Sequence, residues 1–531
     1  MKKIGFKNFR KFSDFPAIDL APITILVGEN NAGKSTVVKG LLALSDFLNG
    51  KGQSGDYLFV RPSEKSLKKD IINRLKNQKF NFNTSYLAHI GTFKRALYNN
   101  AEDNTICFYT SMGYQDITIE MIGDRGDEEC VSGTISKVYL DYKAIGVHID
   151  FDLQKDLSIV TFKPVIVSET QLEYLPHKRR NEAKQFLESI PHSYEFRYHI
   201  SDYYRNYLSD FIYLLIASVE IAISASMEFE KTKEHIGAEM ASVLKPNSSL
   251  DNETLAFLKE FTQKVCPSYL KGGEWIFLLP ESDRISKLFR IEYIYAHAVS
   301  QNVIYSAKDS NDYLSNTIHE FASIPRTNQD YRREFICHWM KEFNIGIDYE
   351  ITSVGGEAHL VKIIDEDGTS VSLADKGMGS IQLMVLLFRL AITLPKKPVA
   401  DKESKKQVVF SRISRVIIVE EPEQNLHPML QSKLADLFFE LNKLYNYRFI
   451  IETHSEYVIR RSQVIVGDNF YTQDKLDKEN PFKVYYFPAK GIPYDMIYTP
   501  SGLFKKKFGD GFINEAGKLH MAVLRNAKSQ E

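Results

Sequence analysis

Charge of one sign is missing from this chain. Its 67 Lys and Arg residues nearly cancel 68 Asp and Glu, so no global field draws it to nucleic acid, and such binding would need a local patch. Cysteine is scarce. Cys107, Cys130, Cys266 and Cys337 are far apart with no CxxC pair, which excludes a locally spaced zinc site and a disulfide framework. Reduced thiols in a cytoplasmic protein are expected instead. No apolar run follows the lysines of MKKIGFKNFRKF, so the amino terminus does not read as a signal peptide. The most apolar stretch, FIYLLIASVEIAISASM (211–227), carries Glu220 near its centre with Asp210 and Glu228 flanking it, and reads as a buried helix, not a membrane span. Internal repeats, low-complexity tracts and long heptad runs are also absent, and the last absence excludes a long coiled coil.

What is present is an ordinary globular composition, 44% hydrophobic and 25% charged, over 531 residues. That length exceeds a single core, so two or more lobes are expected. KIGFKNF and FPAIDL alternate apolar and polar residues, then ITILVG (23–28) reads as a strand buried on both faces. Between about 106 and 167, ICFYTSM, DITIEMI, TISKVYLDY, VHIDFDL and LSIVTFKPVIV read as an antiparallel meander. Helical periodicity dominates from about 170 to 345, interrupted by a strand-like FRIEYIYA (289–296). Strands DYEITSV and HLVKIID, helix IQLMVLLFRLAITL, strand RVIIVEE, helix PMLQSKLADLFFELNKL and strands RFIIETHS and KVYYF follow. Strand–helix alternation at both ends predicts one α/β domain assembled from two separated halves.

GENNAGKS (28–35) fits G-x-x-x-x-G-K-[ST], with a buried strand before it and an amphipathic helix after it. This is a phosphate loop. Gly28 and Gly33 let the backbone wrap so that N–H groups from Glu29, Asn30, Asn31 and Ala32 onward face an anion, and the helix through Thr36 aims its positive end at the same place. Lys34 is expected to reach the β and γ phosphates of ATP, and Ser35 to ligate Mg²⁺.

Such a loop needs an acidic element on a neighbouring parallel strand. RVIIVEE reads as the one downstream apolar run that ends in carboxylates. Glu420 is expected to hold the hydrated Mg²⁺, and Glu421 to polarise the attacking water. Without the phosphate loop, the same pair would read as a strand ending at solvent. His454 lies just past the next strand, where a γ-phosphate sensor would sit.

The phosphate loop, the tandem acid with its PEQNLHP and the ETHS segment together resemble the ABC-type ATPases of the SMC, RecF and OLD group. The resemblance covers about the first 110 and last 200 residues. It implies a P-loop NTPase head with an antiparallel β subdomain (106–170) and an inserted, mainly helical lobe (171–345), the head being formed by 1–105 and 346–531. Asn425 to Pro428 then resemble the D-loop and His454 the switch histidine. LADKGMGSIQ (373–382) resembles the signature loop, with Lys376, Gly377, Gly379 and Ser380 facing the γ-phosphate bound by a second copy. HIGTFKRAL (89–97) lies where a glutamine loop is expected but has no glutamine. Two heads closing on two ATP molecules, as a homodimer or a higher assembly built on it, follow from the resemblance.

About 75 residues follow His454, too few for an added nuclease domain. The tail MIYTPSGLFKKKFGDGFINEAGKL resembles OLD-like ATPases of anti-phage operons, nearest the PtuA family of Septu systems, including retron-associated ones. That likeness implies a regulatory subunit acting on a separate HNH-type, PtuB-like nuclease, with a reverse transcriptase and retron DNA as further partners. The alternative is a RecF-like repair ATPase that clamps DNA. Basic stretches at 61–79, 176–184 and 505–507 read as solvated faces first and as DNA or partner contacts second.

Overall fold

The computed structural model describes residues 2–48, 79–83, 88, 90–111, 116–123, 129–142, 147–152, 157–162, 195–198, 291–295, 303–306, 312–325, 330–395, 416–509, 512–513 and 515–528. The helical readings across 199–290, the 211–227 helix and the basic stretch 176–184 lie outside the described residues, as does all of 61–79 but its last residue. In chain order the elements are β1 (Lys3–Phe9), β2 (Phe12–Asp19), β3 (Ile23–Gly28), α1 (Lys34–Leu48), β4 (Lys79–Asn81), α2 (Phe93–Ala96), β5 (Thr105–Ser111), β6 (Asp116–Ile122), β7 (Ser132–Tyr142), β8 (Val147–Asp152), β9 (Leu157–Phe162) and β10 (Glu195–Tyr198). Then come β11 (Ile291–Ile294), β12 (Tyr305–Ser306), α3 (Tyr313–Ala322), α4 (Asp330–Glu342), β13 (Asp348–Val354), β14 (Ala358–Ile364), β15 (Ser370–Ser372), α5 (Met378–Thr393), β16 (Val416–Glu420), α6 (Pro428–Tyr445), β17 (Arg448–Glu452), α7 (Glu456–Asn469), α8 (Gln473–Glu479), β18 (Phe482–Phe487), β19 (Tyr494–Asp495) and α9 (Glu515–Lys528).

Two units form. Met1–Asp19 and Thr36–Arg290 make the first, and Leu20–Ser35 and Ile291–Glu531 the second. In the first, an antiparallel sheet runs β10-β9-β8-β7-β6-β5-β1-β2, with β4 on β7. The meander read from alternation is therefore present, and it extends onto β1 and β2. Phe6, Phe9 and Phe80 pack around Phe108 in its core with centroids near 5 Å, Phe6 edge-on, Phe9 tilted and Phe80 stacked. α1 lies directly on these rings, because a Cβ at Gly40 would fall 2.4 Å from Phe6.

In the second unit the sheet order is β11-β16-β17-β3-β18-β19, parallel from β11 through β18. Ile23, Ile25, Val27, Ile417, Val419, Phe449 and Ile451 are buried under α5 and α6, which contribute Leu387, Phe388, Leu434 and Phe438. Solid apolar strands fit a sheet covered on both faces. Two sequence expectations change here. FRIEYIYA, assigned to the insertion, supplies β11, a strand of this parallel sheet, so the C-terminal segment of the second unit starts at Ile291 and not at 346. The acid-bearing strand β16 is also not the neighbour of β3, since β17 lies between them. A smaller antiparallel sheet, β12-β14-β13 with β15 on β14, completes this unit.

Helix ends follow their local chemistry. Pro428 opens α6 behind His427, whose side chain accepts from the Met429 N–H, and Asn446 closes it in the left-handed region. Ser455 caps α7 by accepting from Val458. The tail packs aromatically, with Phe508 and Phe512 at 5.6 and 5.8 Å from the Tyr486 ring. Lys505, Lys506 and Lys507 are exposed, and Lys506 lies over the Tyr494 ring. Among the described residues no helix is long and apolar enough to cross a membrane.

Candidate active site

The phosphate loop leaves β3 at Gly28, which pairs with Phe487 of β18. Gly28 has φ of +139°, and a Cβ there would lie 2.1 Å from the Phe487 carbonyl oxygen, so only glycine fits. The Glu29 N–H donates to that carbonyl (3.0 Å), and the Ala489 N–H donates to Glu29 Oε1 (3.2 Å). Asn31 (φ 57°) and Gly33 (φ 107°) turn the chain into α1. Asn30 and Asn31 are exposed, whereas Ala32, Lys34 and Thr36 are buried. Lys34 Nζ donates to the Gly28 and Glu29 carbonyls (3.1 and 2.9 Å), spanning the loop that it closes.

Ser35 Oγ donates to Glu452 Oε1 at 2.8 Å. Glu452 ends β17 and sits in register beside Glu420, which ends β16. Sequence reasoning passed over Glu452, although RFIIE carries the same signal as RVIIVE: a buried run closed by a carboxylate. The reading of RVIIVEE as the one such run is thus corrected. Burial pushes the Glu452 carboxyl up to about 7, with Glu420 and Glu421 adding to the rise while the Ser35 hydrogen bond and Lys34 oppose it. Its Oε2 is buried without a hydrogen-bond partner. Glu420 instead accepts from the Tyr293 hydroxyl of β11, whose pKa is raised first by burial and then by that carboxylate.

Glu421 is left-handed (φ 41°), which swings the chain out of β16, and its N–H donates to the Glu452 carbonyl at 2.7 Å. Gln424 Nε2 holds its Oε2, and His454 Nε2 lies 3.9 Å from its Oε1. Burial, then the charge of Lys34, lowers the His454 pKa against the opposing pull of Glu421, favouring the neutral ring. The His454 N–H donates to Glu423 Oε1 (2.6 Å), so the third glutamate of EEPE anchors the histidine turn. Lys34, Ser35, Glu420, Glu421 and His454 are thus gathered at the carboxyl ends of three consecutive strands.

The signature candidate meets the tandem-acid turn. Gly377 caps α5 without a side-chain hydrogen bond, and Gly379 packs so tightly that a Cβ would fall 2.5 Å from the Asn425 carbonyl oxygen. Lys376 Nζ is held by Asp365 (2.6 and 2.8 Å), and the Ser380 N–H returns to Gly377. The described contacts of this loop run to Asp365 and the Asn425–Leu426 turn, not to the phosphate loop. Gln382 on α5, unremarked in the sequence, links the two: its Nε2 donates to the Glu421 carbonyl and its Oε1 accepts from Asn425, both at 3.4 Å. The segment read at the glutamine-loop position forms α2, capped by Thr92.

Among the described residues, no group of three or more His, Cys, Asp or Glu side chains has the geometry to hold a metal by itself. Mg²⁺ keeps most of its waters and binds through one or two protein groups plus phosphate, so a preformed cage is not required. A serine hydroxyl beside a buried carboxylate with an unpartnered oxygen fits that requirement.

A comparison with curated proteins finds no relative. Among solved structures, the Smc head domain with an extended coiled coil, bound to the C-terminal domain of ScpA from Pyrococcus furiosus, is 11% identical, with 98% of each chain covered and a TM-score of 0.31. An SmcHead bound to the C-winged helix domain of ScpA is 11% identical over 93% of this chain and 96% of that one, with a TM-score of 0.35. The chain matches the AAA_15 family, AAA ATPase domain, over residues 1–459, and it belongs to that family.

Proposed function

We propose that the chain hydrolyses ATP at a site completed by a second copy, and so gates a nuclease carried on another chain of an anti-phage defence complex. The carrying observation is the gathering of Lys34, Ser35, Glu421 and His454 at the ends of consecutive parallel strands. Mg²⁺, when bound, offsets the phosphate charge, and Ser35 with a neighbouring carboxylate would hold it. Lys34 supplies positive charge at the β and γ phosphates. Glu421, steadied by Gln424, orients a water and accepts its proton, while neutral His454 donates to the γ-phosphate. The uncapped amino end of α5 offers N–H groups to the nucleotide of the other copy. The defence role and the HNH-type partner rest on the resemblance of the tail and of the overall plan.

Two experiments test this. Glu421→Gln in the full chain should cut hydrolysis about 10²- to 10⁴-fold, retain ATP and double the mass seen by light scattering. A variant that neither retains ATP nor dimerises would refute the composite site. A pull-down from the native host should recover a nuclease whose activity changes with added nucleotide. Recovery of DNA alone, without a nuclease, would favour the clamp reading.

A further inference from the structure

We infer that Gln431, in the PMLQ that opens α6, is a positioning residue: it clamps the histidine turn to the turn after the tandem acid and so holds His454 within reach of the γ-phosphate. The inference rests on the proposed reading of His454 as a group that contacts that phosphate.

Two hydrogen bonds carry it. Gln431 Nε2 donates to the Leu426 carbonyl at 2.9 Å, and its Oε1 accepts from the Ser455 hydroxyl at 2.6 Å. One side chain thus ties the NLHP turn to the residue that follows His454. The orientation of the amide is forced, because a carbonyl only accepts. A glutamate would keep the bond to Ser455 but turn an oxygen on Leu426, and a lysine could not accept from Ser455. An amide of this length is what the two ends require.

Each end is itself fixed. Ser455 is buried, and its hydroxyl accepts from the Val458 N–H (3.2 Å) while giving its proton to Gln431. The Ser455 N–H donates to Thr453 Oγ1 (3.0 Å), and the Thr453 N–H to the Leu26 carbonyl of β3 (3.1 Å). The backbone on one side of His454 is therefore fastened to the strand that enters the phosphate loop. On the other side it is fastened to α6, through Gln431. At the far end of the clamp, the Leu426 N–H donates to the Glu423 carbonyl (3.1 Å), and the Asn425–Leu426 turn is the one a Cβ at Gly379 would strike. A shift of that turn against α5 thus passes through a single amide to the histidine turn.

The test uses the full chain with Mg²⁺ and calorimetric titration of ADP, alone and with beryllium fluoride standing in for the γ-phosphate. Gln431→Met keeps the length and makes neither bond, whereas Gln431→Glu keeps only the acceptor. In both, the affinity gained from beryllium fluoride should shrink about tenfold or more, and kcat for ATP should fall by a similar factor, as expected for a misplacement of up to about 1 Å. The Kd for ADP and the KM for ATP should stay within about twofold, since the phosphate loop is untouched. Asn442→Ala removes a bond of the same kind at the other end of α6, to the Tyr447 carbonyl (2.7 Å). This control should lower the melting temperature and keep both the beryllium fluoride gain and turnover. Ser455→Ala should reproduce the loss, and adding Gln431→Met to it should cost little more, because the two side chains form one link.

A full beryllium fluoride gain and wild-type kcat in Gln431→Met would overturn the inference. So would additive losses with Ser455→Ala, or an equal weakening of ADP with and without beryllium fluoride, which marks a general distortion. Wild type that binds ADP but gains nothing from beryllium fluoride would overturn the underlying reading of His454, and the inference with it.

Discussion

Gly379→Ala separates two forces of opposite sign. Inside a helix, glycine to alanine ordinarily stabilises by about 1 kcal/mol through backbone entropy. At Gly379 the new methyl would lie 2.5 Å from the Asn425 carbonyl oxygen and 3.0 Å from the Leu426 side chain. Ordinary contact starts at 3.4 Å, so backbone must retreat by about 0.9 Å. Asn425 is itself left-handed (φ 58°) and cannot yield freely. Overpacking of this kind costs about 1–3 kcal/mol, which exceeds the propensity gain in most of that range. The melting temperature should fall by about 2–8 °C.

Activity should fall further than stability. Gln382 joins Asn425 to the Glu421 carbonyl, so the displacement reaches the residue proposed to orient the water. A misplacement near 1 Å costs up to about 10²-fold, so kcat should drop at least tenfold with little change in KM. Gly517→Ala on α9, where a Cβ meets nothing within 4 Å, is the control and should leave the melt unchanged or raised. A melt that rises for Gly379→Ala as well, with kcat intact, would refute the coupling between the start of α5 and the turn after Glu421.

Three further outcomes are expected. Gly28→Ala should abolish ADP binding in calorimetry, because its Cβ meets the Phe487 backbone at 2.1 Å and the last β3–β18 rung must part. Wild-type affinity there would mean that the loop does not need this approach. Glu423→Gln should keep wild-type turnover, since it preserves the acceptor for the His454 N–H and removes a carboxyl whose pKa burial raises. Glu423→Ala should lower kcat about tenfold by freeing that turn. Equal activity of the two variants would dismiss the anchoring role. His359 is buried 3.2 Å from His319, and burial, then His319, hold its pKa below the usual value. A depressed histidine contributes stability that is complete above its unfolded value, about 6.5, and is lost as pH falls below it. Urea midpoints should therefore drop between pH 7.5 and 5.5, and His359→Asn should flatten that drop. An equally steep drop in the variant would exclude this pair as its source.

Local chemistry was legible in the sequence, and lateral order was not. GENNAGKS between a solid apolar run and an amphipathic helix announced a phosphate loop because each of its positions has a steric or electrostatic reason that neighbouring residues already supply. The meander from β5 to β9 was legible for a similar reason: period-two alternation needs only the strand itself. FRIEYIYA failed because a short apolar run amid helical patterns carries no sign of the sheet it joins, and its partner β16 lies more than a hundred residues away. Neither could adjacency within the parallel sheet be read, since crossovers leave strand order free, and β17 enters between two strands that precede it in the chain.

That one insertion alters the chemistry. Two buried strands end in carboxylates, and a rule that treats such an ending as costly applies to both with equal force. Applied to RVIIVEE alone, it finds a pair and must give that pair both metal and water. Applied also to RFIIE, it finds three carboxylates and an uneven geometry. Glu452 faces Ser35, Glu421 faces His454, and Glu420 faces Tyr293. The adjacent glutamates then need not share one task. The side-by-side placement that looked like an electrostatic liability divides by contact: Glu421 lies beside His454 and Gln424, Glu420 is tethered to Tyr293, and the Ser35 hydroxyl meets the carboxylate on the strand between β16 and the loop. What the sequence could not show is which carboxylate the serine meets, because that depends on one strand's place in the sheet.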